Sequence, residues 1–357
     1  MQTIIHTIDP EHPEKQIHLI QEAAQILRRG GLVAFPTETV YGLGASALSA
    51  QAAAGIFAAK GRPGDNPLIV HVSAFEQLAG LVKSITPTAE ALARRFWPGP
   101  LTIILDKTDA IPPEVSGGLS TVAVRFPAHK VARLLLECAG IPIAAPSANA
   151  SGRPSPTEAR HVAEDMNGRI PMILDGGLSV LGLESTVVDA RGPVPVILRP
   201  GSITADMLRE ACGGVSIDPA VYEKPGSSFV PQAPGQKYRH YAPKAKMTLV
   251  CGEPSRITSY IQTILAAQPG TTTNTGVLCT DESLPLYPQR TGLTVLSLGS
   301  RQDPEEAGAR FFRHLRALDA SGVSRIYAEG FPTEHDSPWL ALMNRMQKAA
   351  GYDILWV

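Results

Sequence analysis

The sequence predicts an α/β protein of two domains, the first a twisted, open sheet of mixed strand direction with helices, the second smaller and doubly wound. Three observations predict it. The chain has 357 residues, more than one hydrophobic core usually organises. Short apolar runs of strand length alternate with segments whose apolar residues recur at helical spacing. The alternation fails once, between about residues 209 and 246, and then resumes.

Residues 14–29 place Ile17, Ile20, Ala24 and Leu27 on one helical stripe, and Gly30 and Gly31 stop that helix before the apolar run LVAF. A helix around 49–59, a strand at LIVHV, helices on both sides of Pro87, and strands at LTIIL and TVAVRF follow. A helix near 129–139 leads to the apolar run PIAAPSAN, a helix from about Thr157, and strands around MILDGG, STVVDA and VPVILRP. Strands without an intervening helix imply antiparallel neighbours, so the sheet is mixed. From Met247 onward TLVCG, GVLCT, TVLSLG and RIYAEG alternate with helices near 254–267, 303–319 and 337–350. That is the pattern of a Rossmann-like doubly wound domain. The expected division is residues 1–208, a Pro/Gly-rich basic linker at 209–246, and residues 247–357.

Lys plus Arg number 32 against 33 Asp plus Glu, so the whole-molecule field holds no general attraction for nucleic acid or membrane. A composition 44% hydrophobic and 18% charged excludes a disordered chain. No apolar run approaches the roughly 18 residues of a membrane span, and MQTIIHTIDPEHPEKQ lacks the apolar centre of a secretory signal. Cys138, Cys212, Cys251 and Cys279 lie tens of residues apart, which suits neither a metal site nor a disulfide framework. A reducing cytoplasm is the expected location.

Four stretches of the first domain concentrate polar residues among glycines and prolines where strands end: PTETVYGLG, KGRPGDNPLIVH, STVAVRFP and APSANASGRPSPT. A fifth is LESTVVD, followed by LRPG. In α/β sheets such strand ends hold ligands. Lys60 and Arg62 stand two apart where Gly61, Pro63 and Gly64 forbid a regular helix, so both cations can converge on one polyphosphate. Read alone, the same residues fit a solvated turn with Lys60 at a helix C-terminus. His71, inside LIVHV, fits a hydrogen-bonded core histidine. Ser147 and Asn149 of PSAN suit phosphate or ribose oxygens, and equally plain turn and capping chemistry. Arg125 ends an apolar strand and needs a partner if buried; a substrate carboxylate and an internal salt bridge both satisfy that. Arg199 in LRPG carries the same two readings.

The linker is the basic part of the chain, with Lys224, Lys237, Arg239, Lys244 and Lys246 against Glu223, and Tyr238, His240 and Tyr241 among them. Such a strip could bind RNA by phosphate contacts and stacking, fold over the first domain to close a nucleotide site, or stay solvated. No P-loop, GxSxG elbow, HExxH or EF-hand loop occurs, and the second domain lacks a GxGxxG turn.

The set FPTETVYGLG, KGRPGDNPLIVH, FWPGPLT, VAVRFP, APSANASGRPSPT, LESTVVD, LRPG and PGQKYRHYAP, in this order, resembles the threonylcarbamoyl-AMP synthase family, the long two-domain form of the YrdC-like proteins. The resemblance spans nearly the whole chain. It implies a nucleotidyltransferase that condenses L-threonine, bicarbonate and ATP into threonylcarbamoyl-AMP with release of pyrophosphate, using Mg²⁺. Partner proteins then carry the group to the adenosine beside the anticodon of tRNA, which the enzyme itself holds weakly or not at all. By resemblance, Thr37, His71, Arg125 and Ser185 line the threonine pocket, with Ala145 adding backbone contacts. Lys60, Arg62, Asn66, Thr121, Ser147, Asn149, Ser155 and Arg199 surround ATP, Lys60 and Arg62 catalytically, and Tyr241 with His240 reaches back over the nucleotide. The ligands of Mg²⁺ are left unassigned. Two rivals remain at this point, a non-catalytic RNA-binding module and a carbamoyl-transfer enzyme of the same fold.

Overall fold

The helix Ala50–Lys60 begins at Ser49, whose hydroxyl accepts the Ala52 N–H at 3.2 Å, and ends at Gly61 with φ +63°. Glycine adopts this left-handed cap without strain. The helix Pro87–Phe96 begins the same way, Thr86 accepting from Ala89 N at 3.1 Å with proline at the first position. These features belong to a computed structural model describing residues 2–223, 226, 231–233, 240–267, 274–333 and 337–357. Among the described residues no helix is long and apolar enough to cross a membrane.

The chain divides into two units. The first comprises Met1–Ser151, Ser155–Val180 and Glu184–Tyr238; the second comprises Gly152–Pro154, Leu181–Leu183 and Arg239–Val357.

The first unit is built on strands β1 (Ile4–Thr7), β2 (Val33–Phe35), β3 (Gly42–Ser46), β4 (Ile69–His71), β5 (Leu101–Asp106), β6 (Thr121–Arg125), β7 (Ile143–Ala144), β8 (Met172–Asp175), β9 (Thr186–Asp189), β10 (Val196–Arg199) and β11 (Ser216–Ile217). They lie side by side in the order β1-β8-β2-β3-β7-β4-β6-β5-β9-β10-β11. The sheet is mixed: β5 runs antiparallel to β6 and parallel to β9, while β4 runs parallel to β6 and antiparallel to β7. Along β2, Val33 and Phe35 join one apolar cluster with Ile20, Leu27 and Leu135, whereas Ala34 joins another with Leu43, Val70 and Val124. Successive side chains point to opposite faces, so the strand is buried on both. That is why the strands read as unbroken apolar runs.

Strands β1 and β3 have no counterpart in the sequence-based reading. β3 is GLGAS, low in strand propensity, yet every residue is buried. Its small size is the point: a Cβ on Gly44 would lie 2.9 Å from both Ile143 Cγ2 and Phe35 Cε1, so only glycine lets β2, β3 and β7 close together.

The irregular stretch also starts later than residue 209. The helix Ala205–Cys212, capped by Thr204 and ended by Gly213, runs across that boundary, and β11 pairs in parallel with β10. A two-residue strand leaves no periodicity to read. Lys224, Lys237, Tyr238 and Arg239 lie outside the described residues.

The second unit holds five parallel strands, β12 (Lys246–Cys251), β13 (Thr275–Cys279), β14 (Leu293–Ser297), β15 (Arg325–Glu329) and β16 (Ile354–Trp356), in the order β14-β13-β15-β12-β16. The helices Pro254–Ala266, Pro304–Ala320 and Leu340–Ala349 alternate with them, the Rossmann-like arrangement expected. β16 was not anticipated, because three residues at the chain end carry too little pattern.

Candidate functional site

Sheet register assembles one end of the site. His71 of β4 stands opposite Arg125 of β6, and Arg125 stands opposite Thr102 of β5. Residues in register across adjacent strands share a face, so three polar side chains form a row across the sheet. The row continues to Ser185, whose hydroxyl lies 2.8 Å from that of Thr102. Arg199 then donates to both Ser185 O and Ser185 Oγ at 3.1 Å. The close approach of LRPG to LEST requires glycine, since a Cβ on Gly201 would lie 2.4 Å from Thr186 N.

Arg125 is 4% exposed. It donates from Nη2 to Glu38 Oε1 at 2.6 Å, from Nη1 to Thr39 Oγ1 at 2.8 Å and from Nε to Gly99 O at 3.3 Å. Thr37 sends its hydroxyl proton to Val40 O at 2.6 Å, which leaves Thr39 to donate to Thr37 across 2.8 Å. A guanidinium carries five N–H donors. Three are used by these bonds among the described residues, leaving one N–H on each terminal nitrogen, the pair that grips a carboxylate bidentately.

His71 is buried, with Nδ1 3.2 Å from Ile69 O and its ring edge-on to Phe35. Burial, followed by the nearby Arg125 charge, lowers its pKa to about 3, so the imidazole is neutral under ordinary conditions. The unfolded chain therefore binds a proton near pH 6.5 that the fold refuses, and stability falls as pH drops from 6.5 toward 3. We expect about 1.4 kcal/mol lost per pH unit over that window from this residue alone. Denaturant unfolding of wild type and His71→Gln at pH 6.5 and 4.5 measures it. A wild type no more acid-sensitive than the variant contradicts the assignment.

The other end gathers the glycine-rich loops. Lys60, 3% exposed, directs Nζ to the main-chain carbonyls of Ser147 and, at 2.5 Å, of Asn149. Ser151 N returns a bond to Lys60 O at 2.8 Å. Thus KGRPGDNP and PSAN meet at one cation. Arg62, 7% exposed, donates from Nη2 to Pro67 O at 3.1 Å and Asn66 O at 3.3 Å. Neither cation sits in a solvated turn. Asn66 is buried, its Oδ1 without a hydrogen-bond partner among the described residues. Ser147 Oγ donates to Asn149 Oδ1 at 2.5 Å. Thr121 opens β6 opposite Asp106, on the same strand face as Arg125 four residues later. Ser155, fully buried, donates to Glu184 Oε1, next to Ser185. Ala145 donates its N–H to Ile69 O at 2.8 Å, beside His71.

Beside the polar row, on the same face, lies an apolar cluster of Ile69, Ile104, Ala123, Val187 and Leu198. Ala233, from the proline-rich stretch, is fully buried in it. His240 and Tyr241 belong to the second unit. Tyr241 has φ +65°, uncommon for a non-glycine residue. Its ring packs 5.1 Å from Phe312 and 4.7 Å from His240, with the Arg345 guanidinium 5.9 Å away. In the second unit, two of the helix N-termini, where a Rossmann sheet receives pyrophosphate, are capped by its own carboxylates: Glu253 accepts from Ser255 and Arg256, and Asp303 from Glu305 and Glu306.

The first unit thus brings together Thr37, His71, Arg125, Ala145 and Ser185 with Ser155 and Arg199, and separately joins Lys60 to Ser147 and Asn149. Glu38, Thr39, Thr102 and Glu184 were not singled out from sequence. The available signal was that a buried arginine demands a partner, but nothing in the chain pointed from residue 125 to residue 38.

Two family models cover the chain: one described as "Telomere recombination" (Sua5/YciO/YrdC) matches residues 25–201, and one described as "Threonylcarbamoyl-AMP synthase, C-terminal domain" matches residues 203–351. A threonylcarbamoyl-AMP synthase of Pyrococcus abyssi is 48% identical over 95% of this chain and 96% of its own. One of Bacillus subtilis is 46% identical over 93% of each. The crystal structure of P. abyssi Sua5 complexed with L-threonine superposes with a TM-score of 0.90 at 46% identity, covering 99% of this chain and 100% of that one.

Proposed function

The chain belongs to the threonylcarbamoyl-AMP synthase family, and from that premise we propose that its first unit condenses L-threonine, bicarbonate and ATP into threonylcarbamoyl-AMP and pyrophosphate, as a nucleotidyltransferase serving tRNA modification. One observation carries the reading: buried Arg125 keeps two N–H donors in hand beside a neutral His71 and the Thr37 turn. That is a fitting receptor for a small hydroxy amino acid. The L-threonine complex of the P. abyssi protein supports it.

Arg125 takes the threonine carboxylate, with Thr37, His71, Ala145 and Ser185 around the rest of the molecule. The amine condenses with bicarbonate, losing water, to a carbamate. A carbamate oxygen then bonds to the α-phosphorus of ATP as the bond from that phosphorus to the pyrophosphate oxygen breaks. No enzyme nucleophile is required. Lys60 and Arg62, fixed by main-chain carbonyls, offset charge that builds on the phosphates, while Asn66, Thr121, Ser147, Asn149, Ser155 and Arg199 hold the nucleotide. Among the described residues no three His, Cys, Asp or Glu side chains gather as a metal cage. Mg²⁺ would be held in its usual way, by substrate phosphates and water, and there it would neutralise phosphate charge. The described segment around Ala233 covers the apolar side of the row, and an enclosed pocket protects both the carbamate and the mixed anhydride from water. Partner proteins accept the product and bring it to tRNA. The free thiols of all four cysteines accord with work in a reducing cytoplasm.

Pure protein incubated with ATP, Mg²⁺ and bicarbonate is expected to release pyrophosphate only when L-threonine is added. Threonine-independent release, or none beside tight and salt-sensitive RNA binding, refutes the synthase reading.

A further inference from the structure

Glu38 sits between two pocket residues, Thr37 and Thr39, and is 7% exposed. Burial alone favours its neutral form, but the Arg125 guanidinium holds its carboxyl below the usual range. Its Oε1 lies 2.6 Å from Arg125 Nη2. With Thr39 on Nη1 and Gly99 O on Nε, the planar guanidinium is fixed in position and in rotation. The neighbouring imidazole of His71 is uncharged. The two ions of the pair therefore cancel within the pocket.

We infer that Glu38 is a positioning and specificity-determining residue for the amino acid: it aims the two remaining N–H groups of Arg125 and cancels its charge, so that the pocket selects a zwitterion over a simple carboxylate. The inference rests on the threonine reading of this site. A lone buried arginine attracts any carboxylate, since the net charge it offers is positive. Paired with Glu38, it offers a positive edge beside a negative one, and an amino acid, carrying both ammonium and carboxylate, matches that pair better than an anion does.

The test compares L-threonine with 3-hydroxybutyrate, the same skeleton lacking the amine. In Glu38→Gln the amide oxygen still accepts from Arg125, but the charge is gone. The threonine KM is expected to rise by about tenfold or more while 3-hydroxybutyrate inhibits equally well or better, so the ratio of the two affinities falls by at least about tenfold. The KM for ATP stays within about twofold, which a general loss of structure would not allow. Glu38→Asp keeps the charge but withdraws it by one methylene; it is expected to weaken threonine binding with the ratio near that of wild type, and it supplies the reading if the glutamine variant does not fold. An unchanged ratio in Glu38→Gln, an ATP KM that moves with that of threonine, or wild-type threonine affinity in Glu38→Asp overturns the inference. Wild-type protein that shows no threonine-dependent pyrophosphate release defeats the synthase reading instead, so the two failures are distinct.

Discussion

Replacing Lys60 by alanine is expected to reduce kcat/KM for threonine-dependent pyrophosphate release by roughly 30- to 1000-fold, equivalent to about 2 to 4 kcal/mol of transition-state stabilisation. Arg62→Ala is expected to fall in the same range. Both cations are preorganised rather than mobile. Lys60 Nζ is held by two carbonyls of the PSAN loop, and the Arg62 guanidinium by two carbonyls of its own loop. Donors fixed in advance need no reorganisation when charge develops, which is the source of their large effect. Because Lys60→Ala also removes a donor from the carbonyls of Ser147 and Asn149, thermal unfolding should be recorded alongside the rates. Lys60→Met, which keeps the buried stem, separates lost packing from lost charge. A rate change below about twofold in a folded variant removes that residue from the reacting centre.

Deleting residues 231–245 is expected to cut threonylcarbamoyl-AMP formation by on the order of 100-fold or more while the first unit stays folded. Among the described residues, the segment's foothold in the first unit's apolar cluster is the fully buried Ala233, against Ile69, Ile104, Ala123, Val187 and Leu198. Residues 240–245 fold with the second unit, and Tyr241 is buried there, so the deletion removes an anchor at each end. A gentler version is Ala233→Asp. It asks an unpaired carboxylate to enter an apolar cluster, at a cost of several kcal/mol, and the segment leaves instead. Circular dichroism should be unchanged, and adenylate yield per pyrophosphate released should fall as the exposed anhydride hydrolyses. Normal yield in either protein dismisses the segment as a cover.

The sequence displayed the fold because central strands such as β2 are buried on both faces and helices are capped by residues that announce themselves, such as Ser49, Gly61 and Thr86. It hid β3, where the requirement was for small residues rather than for strand formers. It also hid β11 and β16, too short to show a period. At the site, the motifs delivered single residues with two readings each. Structure removed the choice for His71, which is both a hydrogen-bonded core histidine and a member of the polar row. It did the same for Arg125, which has an internal salt bridge and still keeps donors to spare. What no local pattern could supply was pairing over distance. Glu38 and Arg125 lie 87 residues apart, and Thr102 and Ser185 lie 83 apart; only the strand order brings them together.

That strand order also sets where the protein can tolerate change. Since His71, Arg125 and Thr102 hold their places by register, this end of the site is a property of the sheet. Adding a single residue within β4, β5 or β6 turns the affected member of the row onto the opposite face, among the apolar side chains of Val70, Val124 and Ile103. The spacing inside these three short strands is therefore closed to insertion and deletion.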